Sequence, residues 1–324
     1  MSTIQMVKAA EKRLKGNARR TPMLTSPFLD EIAGRKVLVK AECLQHTGSF
    51  KFRGGWSALS ALSDAQRKAG VIAFSSGNHA QGVAIAADAH GAPCVIVMPA
   101  DAPAVKIQNT RDLGAEVVLY DRDNEDRDEI GARIAAERGL TLVKPFDEPL
   151  VIAGQGTCGI EIARQADAAG VTKAEVLVCC GGGGLTSGIA LALEADAPGL
   201  KVRPVEPEGF DDVTRSLVSG QIENNNRASG SLCDAIITKQ PGDLTFPIMQ
   251  RLCGSGIIVT DDECLRAMAL AYERLRVVIE PGGAAALAAA LFHPEASEGD
   301  AVIVVATGGN VDRAVFIQAL GTTQ

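Results

Sequence analysis

The chain has 324 residues, of which 46% are hydrophobic, 22% charged and 4% aromatic, a balance that excludes long disorder and allows a substantial core in one or two domains. Lys plus Arg number 32 against 39 Asp plus Glu, and the net charge of −7 gives no general affinity for nucleic acid or an anionic membrane. No apolar run precedes the first charges, so no secretory signal is expected, and the longest uncharged stretch, 176–193, is interrupted by Gly181–Gly184.

In chain order, β-branched runs alternate with Ala- and Leu-rich helical patterns. A strand is predicted over 37–40. Strand 71–74 leads through Ser75-Ser76-Gly77-Asn78 into a helix over 81–89. Strand 94–98 precedes helix 104–113, and strand 116–120 precedes helix 125–138. A helix over 154–167 is followed by strand 176–180, helix 186–195 and strand 201–205. Strand 257–260, helices 262–276 and 284–292, and strand 301–306 complete the series. This alternation predicts an α/β protein with open twisted, mostly parallel sheets covered by helices. The charge run at 121–129 alternates in sign and reads as a solvated helix start, and 222–231 reads as a long loop. The eight cysteines are scattered, form no C-x-x-C pair and sit in apolar contexts, so reduced buried thiols in a cytoplasmic protein are expected.

Three predicted strands end in small-residue turns: Ser75–Asn78, Gly181–Gly184 and Thr307-Gly308-Gly309-Asn310. Ligands of open α/β sheets bind at the carboxyl ends of strands, so one site assembled from distant segments is expected. In the tetrad Gly181-Gly182-Gly183-Gly184, backbone N–H groups converge at a helix N-terminus, which makes an anion site suited to phosphate. The spacing Gly182-x-Gly184-x-x-Ser187, with Glu206 downstream, also approaches a dinucleotide fingerprint, although Ser187 stands where that pattern has Gly or Ala. A dinucleotide-binding oxidoreductase is therefore a rival reading, and a non-catalytic binding protein is another.

Lys51 lies between Phe50 and Phe52. An apolar wall lowers a lysine pKa by desolvating the ammonium, which suits Schiff-base chemistry, although a snorkelling lysine at a helix start has the same pattern. Ser49-Phe50-Lys51-Phe52-Arg53-Gly54 resembles the Schiff-base lysine motif of fold-type II pyridoxal-phosphate enzymes, in particular the threonine/serine dehydratase and serine racemase group. Ser75-Ser76-Gly77-Asn78-His79-Ala80-Gln81-Gly82, Gly154-Gln155-Gly156-Thr157, Gly181–Gly184, Glu280-Pro281 and Thr307–Asn310 occur in the order of that family, and the likeness runs from about Thr21 to Asp312.

The resemblance implies a tryptophan synthase β-like fold with a large cofactor domain (1–44 plus 148–324) and a small inserted domain (45–147). It implies that Lys51 holds pyridoxal 5′-phosphate and acts as the Cα base. Phe50 would pack on the pyridine ring, and Asn78 would bond its phenolic oxygen. Gly181, Gly182, Gly183, Gly184 and the Leu185 amide would hold the phosphate. Glu280 and Thr307 would complete the cofactor site, with Thr307 near the pyridine nitrogen. Ser75, Ser76, Gly77, His79 and Gln81 would take the substrate carboxylate. His79 also suits a structural helix start, and Ser76 also matches the serine that serves as second acid-base in racemases. Glu206, the Phe210 carbonyl and Asp212 match a divalent-cation site for Mg²⁺, Ca²⁺ or Mn²⁺, whose hard oxygens are chemically apt.

The function implied is a dehydratase (ammonia-lyase) converting a β-hydroxy-α-amino acid of the threonine/serine type to a 2-oxo acid and ammonia. The alternatives are a serine racemase on the same scaffold, or a dehydratase specialised for 3-hydroxyaspartate or phenylserine. A second carboxylate on the substrate needs a cation, and Arg127 stands near the apt position with Asp128 beside it. The resemblance also implies a homodimer and a short form without a C-terminal regulatory domain.

Overall fold

The computed structural model describes residues 2–75, 77–102, 104–121, 124–296 and 298–322. Along these residues ten strands are interspersed with fourteen α-helices. The strands are β1 (Met23–Leu24), β2 (Lys36–Ala41), β3 (Val71–Phe74), β4 (Cys94–Pro99), β5 (Glu116–Tyr120), β6 (Thr141–Leu142), β7 (Ala174–Cys179), β8 (Leu200–Pro207), β9 (Ile257–Val259) and β10 (Ala301–Ala306). The helices in the first half are α1 (Ile4–Leu14), α2 (Pro27–Ala33), α3 (Lys51–Ser60), α4 (Asp64–Ala69), α5 (Asn78–Ala89), α6 (Ala104–Asp112) and α7 (Arg127–Arg138). Those in the second half are α8 (Pro149–Ala168), α9 (Gly184–Asp196), α10 (Asp212–Ser219), α11 (Phe246–Leu252), α12 (Asp261–Leu275), α13 (Pro281–Phe292) and α14 (Arg313–Leu320).

The strands form two sheets. One has six strands in the order β1-β2-β10-β7-β8-β9, the other four in the order β5-β4-β3-β6. Every pairing is parallel except β1 on β2. Parallel strands buried on both faces read as unbroken apolar runs, and β10 and β4 are buried at every position. Alternate residues of β10 enter separate cores. Val302, Val304 and Ala306 pack with α12 and α13, while Ile303 and Val305 pack with α8 and α9. The small sheet divides in the same way, with Val71, Ala73 and Ile96 against α5 and Ile72, Val95 and Val97 against α7.

Two short strands, β1 and β6, and seven helices (α1, α2, α3, α4, α10, α11 and α14) lie outside the elements predicted from the pattern. Each strand is two residues long, too short to show a period. The residues of α3 are poor helix formers on paper, because Gly54-Gly55 falls in its first half. Packing explains them: a Cβ on Gly55 would come within 2.5 Å of the Gly82 carbonyl oxygen on α5. α8 begins at Pro149, ahead of the predicted 154. The Glu148 carboxylate caps it, accepting from Leu150 N (3.1 Å) and Val151 N (2.6 Å), with proline at the first helical position. The predicted loop falls in the segment 220–245, which contains no helix or strand.

Candidate active site

The three small-residue turns follow the carboxyl ends of β3, β7 and β10, and the chain between β2 and α3 runs across them. Phe50 N donates to the Thr307 carbonyl at 3.1 Å, and Ser49 pairs with Gly308 in an isolated bridge. Lys51 therefore opens α3 at the carboxyl end of β10. Its Nζ donates to the Pro145 carbonyl at 2.8 Å and lies 5.2 Å from the centre of the Phe50 ring. Solvent reaches part of the side chain, but the atoms packed around it desolvate the ammonium and push its pKa down to about 8, against the opposing charge of Glu280.

Asn78 is the first residue of α5. Its Nδ2 donates to Glu280 Oε1 at 2.6 Å, and its Oδ1 accepts from Asn310 Nδ2 at 2.6 Å. Glu280 caps α13 ahead of Pro281, and its backbone N–H holds the Gly308 carbonyl at 2.9 Å. Burial lifts the Glu280 carboxyl to about 7, opposed by the bond from Asn78 and by the charges of Lys106 and Lys51. So Asn78, Glu280, Gly308 and Phe50, drawn from four distant segments, form one connected wall.

At the end of β7, Gly183 adopts φ +89°, which glycine tolerates at no steric cost, and α9 starts at Gly184. The Gly182 carbonyl is turned toward Thr245 Oγ1 (2.6 Å) and Gly242 N (3.2 Å). The first-turn N–H groups of α9 have no intrahelical acceptor, so this end of the helix is a ready anion site. Phe146 stands against the tetrad, its ring 2.3 Å from where a Gly182 Cβ would be, so only glycine fits there. Segment 143–147 thus bridges Lys51, through Pro145, to the glycine loop, through Phe146.

Ser75 Oγ accepts from Gly77 N at 3.1 Å, and the space around Gly77 is open. Gln81 is buried, and its backbone N–H donates to the Gly77 carbonyl. Ser76 lies outside the described residues. His79 is buried with Nε2 at 2.9 Å from the Val143 carbonyl, and burial with the nearby Lys51 charge pushes its pKa down to about 3. A carbonyl can only accept, so Nε2 carries the proton and Nδ1 is a bare acceptor. The ring thus has no donor for a substrate carboxylate, and its geometry is that of a residue tying α5 to the segment before α8.

Arg53, two residues beyond Lys51, centres a buried ionic quartet. It donates to Glu42 through Nε and Nη2, both at 2.8 Å, and to Glu161 through Nη1 (2.9 Å) and Nη2 (3.0 Å). Lys40 Nζ reaches Glu161 at 2.5 Å. Two cations and two carboxylates balance, which is the condition for keeping charges in a core.

Glu206 is fully buried at the end of β8, and its carboxylate accepts from Val213 N (2.9 Å), Thr214 N (2.7 Å) and Thr214 Oγ1 (2.6 Å). This engagement removes it as the ribose acceptor of a dinucleotide site. Asp212 accepts from Asn225 at 2.5 Å through Oδ1, while its buried Oδ2 has no partner. Burial, with the mutual charge, pushes Glu206 up to about 8, and burial pushes Asp212 up to about 7. Among the described residues no three His, Cys, Asp or Glu side chains cluster, so any cation here would rely on carbonyl and water oxygens as well.

The model of the family described as "Pyridoxal-phosphate dependent enzyme" matches residues 14–308. This chain belongs to that family. The enzyme is 45% identical over 307 residues to an L-threo-3-hydroxyaspartate ammonia-lyase of Pseudomonas sp, covering 95% of this chain and 94% of that one. It is 40% identical to an L-threonine ammonia-lyase of Thermotoga maritima, covering 96% of this chain and 76% of that one. Among solved structures, a serine racemase from Dictyostelium discoideum superposes with a TM-score of 0.89 at 36% identity, covering 96% of this chain and 99% of that one. The fold is that of fold-type II enzymes, in the threonine/serine dehydratase group, and the dinucleotide reading is set aside.

The residues present fit the cofactor. A lysine with a lowered pKa faces an aromatic ring, the helix N-terminus at the glycine loop lies across segment 143–147, and Asn78 keeps a second N–H beyond the one given to Glu280. Three contributors escaped the sequence reading: the Pro145 carbonyl, Phe146 and Asn310. A backbone carbonyl leaves no trace in a sequence. Asn310 was visible as a motif residue, yet no role attached to it.

Proposed function

We propose that the enzyme is an ammonia-lyase for β-hydroxy-α-amino acids whose preferred substrate carries a second carboxylate, as 3-hydroxyaspartate does. The observation that carries the substrate class is Lys144, which lines a cavity of about 320 Å³ with Phe74, Pro145, Phe146 and Gly242, on the segment whose Pro145 carbonyl holds Lys51. A threonine methyl has no use for a cation there, whereas a β-carboxylate does. Arg127, Asp147 and Asp243 also line the cavity, and Asp147 Oδ1 accepts from Leu244 N at 2.8 Å. The relatives named for L-threo-3-hydroxyaspartate support the same choice.

Bound pyridoxal phosphate supplies the electron sink that makes the Cα–H of an amino acid acidic. The amides of Gly181 to Leu185 would hold its phosphate, Asn78 its phenolic oxygen and Phe50 its ring, with Glu280 and Thr307 completing the site. Ser75 and the side-chain amide of Gln81 would take the α-carboxylate and so orient the Cα–H bond toward Lys51. Lys51 would take that proton, and a pKa near 8 suits a base that must also release it. The β-hydroxyl leaves as water. The released unsaturated amine then tautomerises and hydrolyses in solvent to a 2-oxo acid and ammonia.

A divalent cation between Glu206, the Phe210 carbonyl and Asp212 belongs to this reading, supported by the unpartnered Asp212 oxygen. So does a homodimer, supported by the exposed apolar side chains Phe28, Ile32, Ile317 and Leu320 on α2 and α14. Seven buried thiols without a disulfide support a cytoplasmic setting.

The test is 2-oxo acid release from 3-hydroxyaspartate, threonine and serine. Hydroxyaspartate is expected to lead, with Lys144→Ala raising its KM and leaving that of threonine in place. A preference for threonine overturns the substrate class. No release from any member overturns the lyase reading, and chiral analysis of serine then tests racemisation, the role for which Ser76 was singled out.

A further inference from the structure

We infer that Asn310 is a positioning residue that fixes which end of the Asn78 amide faces the cofactor. This rests on the pyridoxal-phosphate reading of the site and deepens it.

An asparagine amide is nearly symmetric in shape and opposite in chemistry at its two ends. If Asn78 turned over, a lone pair would replace the N–H donor offered to the cofactor, with almost no change in packing. Something must therefore set its polarity, and the chain of hydrogen bonds shows what does. Asn310 Nδ2 donates at 2.7 Å to the Thr47 carbonyl. A backbone carbonyl accepts and never donates, so this contact fixes Asn310 with its nitrogen toward Thr47. The second hydrogen of the same nitrogen goes to Asn78 Oδ1 at 2.6 Å. Asn78 must then present oxygen to Asn310 and nitrogen to Glu280 Oε1, at 2.6 Å. Its remaining N–H is left for the cofactor. Turning Asn78 over would set two N–H groups against each other at Asn310 and two oxygens against each other at Glu280.

The anchor of the chain is built at some expense. Thr47 has φ +57°, one of only two non-glycine residues with positive φ among the described residues, and such a conformation costs about 1 kcal/mol. Gly48 follows at φ +72°, and a Cβ there would come within 2.7 Å of Asn310 Oδ1. The turn Thr47-Gly48 is thus moulded around the Asn310 side chain, and Gly309 N holds the Gly48 carbonyl at 2.9 Å. That turn leads directly to Lys51, so one side chain registers Asn78 against the segment that carries the lysine.

Asn310→Asp keeps the shape and removes the donors, and Asn310→Ala removes the side chain without introducing charge. Each apoprotein is titrated with pyridoxal phosphate by absorbance, with thermal melting of the apoprotein in parallel. The aspartate variant is expected to weaken cofactor binding about fivefold and to shift the ratio of the long- to the short-wavelength band of the bound cofactor, since one misoriented hydrogen bond is worth about 1 kcal/mol. The alanine variant shifts the same ratio less. Kd within twofold of wild type and an unchanged band ratio in both variants overturn the inference, even if both melt lower, because a merely structural residue would do that. A wild-type chain that forms no lysine-bound chromophore overturns instead the reading on which the inference rests.

Discussion

Replacing Glu42 by glutamine tests the ionic quartet behind Lys51. The carboxylate accepts two charge-assisted bonds from Arg53 at 2.8 Å and one from Thr21 at 2.5 Å, in a region closed to solvent. Glutamine keeps the shape, supplies one acceptor oxygen and turns an N–H toward a donor. The buried charge changes from balanced to +1, because Lys40, Arg53 and Glu161 remain. Breaking one partner of a buried pair destabilises by about 3–5 kcal/mol. With an unfolding entropy of ~2.1 cal/mol/K per residue, 324 residues give ~0.7 kcal/mol/K, so the midpoint is expected to fall by about 4–7 °C.

The acid limb supplies a second reading of the same site. Arg53 holds the folded Glu42 carboxyl below its ordinary value despite burial. A depressed carboxylate contributes stability above its unfolded pKa of about 4.3 and loses it as pH falls through the lower folded value. Wild type should therefore lose more stability than Glu42→Gln on acidification from about pH 5 to pH 3. Differential scanning calorimetry of the apoprotein measures both quantities. A midpoint shift under about 1 °C, with parallel acid limbs, would refute the assignment of this quartet as a stabilising unit.

The rate at which pyridoxal phosphate attaches to Lys51 should rise with pH through about 8, and Glu280→Gln should move that midpoint down, because the Glu280 charge is what holds it up; stopped-flow absorbance reads both, and an upward move contradicts the geometry. Gly182→Ala should weaken cofactor binding at least about tenfold in a fluorescence titration, since its Cβ would meet the Phe146 ring at 2.3 Å; unchanged affinity would mean that the ring does not wall the loop. Mg²⁺ at about a hundred times its Kd should stabilise the protein by ~2.7 kcal/mol, a rise of about 4 °C, and Asp212→Asn should abolish the effect. A melting temperature indifferent to Mg²⁺, Ca²⁺ and chelator would remove the cation from the proposal.

Much of the site is written in short local patterns. Lys51 between aromatics, the glycine tetrad and the turns after β3 and β10 are all runs of neighbours, and a strand buried on both faces shows its apolar run whatever surrounds it. What the pattern hides is what depends on partners far along the chain. The Gly54-Gly55 pair argues against a helix until Gly82 is seen against it. Arg53 looks like a surface residue until Glu161, 108 positions away, is placed beside it. His79 suggests a carboxylate donor until the Val143 carbonyl claims its only proton. Asn310 acquires its meaning from a carbonyl 263 residues earlier.

The position of β10 has a consequence for biosynthesis. Among the described residues it is the strand latest in the sequence, yet it sits inside the large sheet, between β2 and β7. Until residues 301–306 have emerged, β2 and β7 both present bare, largely apolar edges with no partner, the kind of surface that recruits foreign strands. Thr307, Gly308 and Asn310, which close the site around Phe50 and Asn78, come out immediately afterwards. A ribosome that stalls before Ala301 therefore releases no partially competent protein. Both sheet edges are bare in such a chain and Thr307, Gly308 and Asn310 are missing from it, so the sheet and the site are completed by the same few residues.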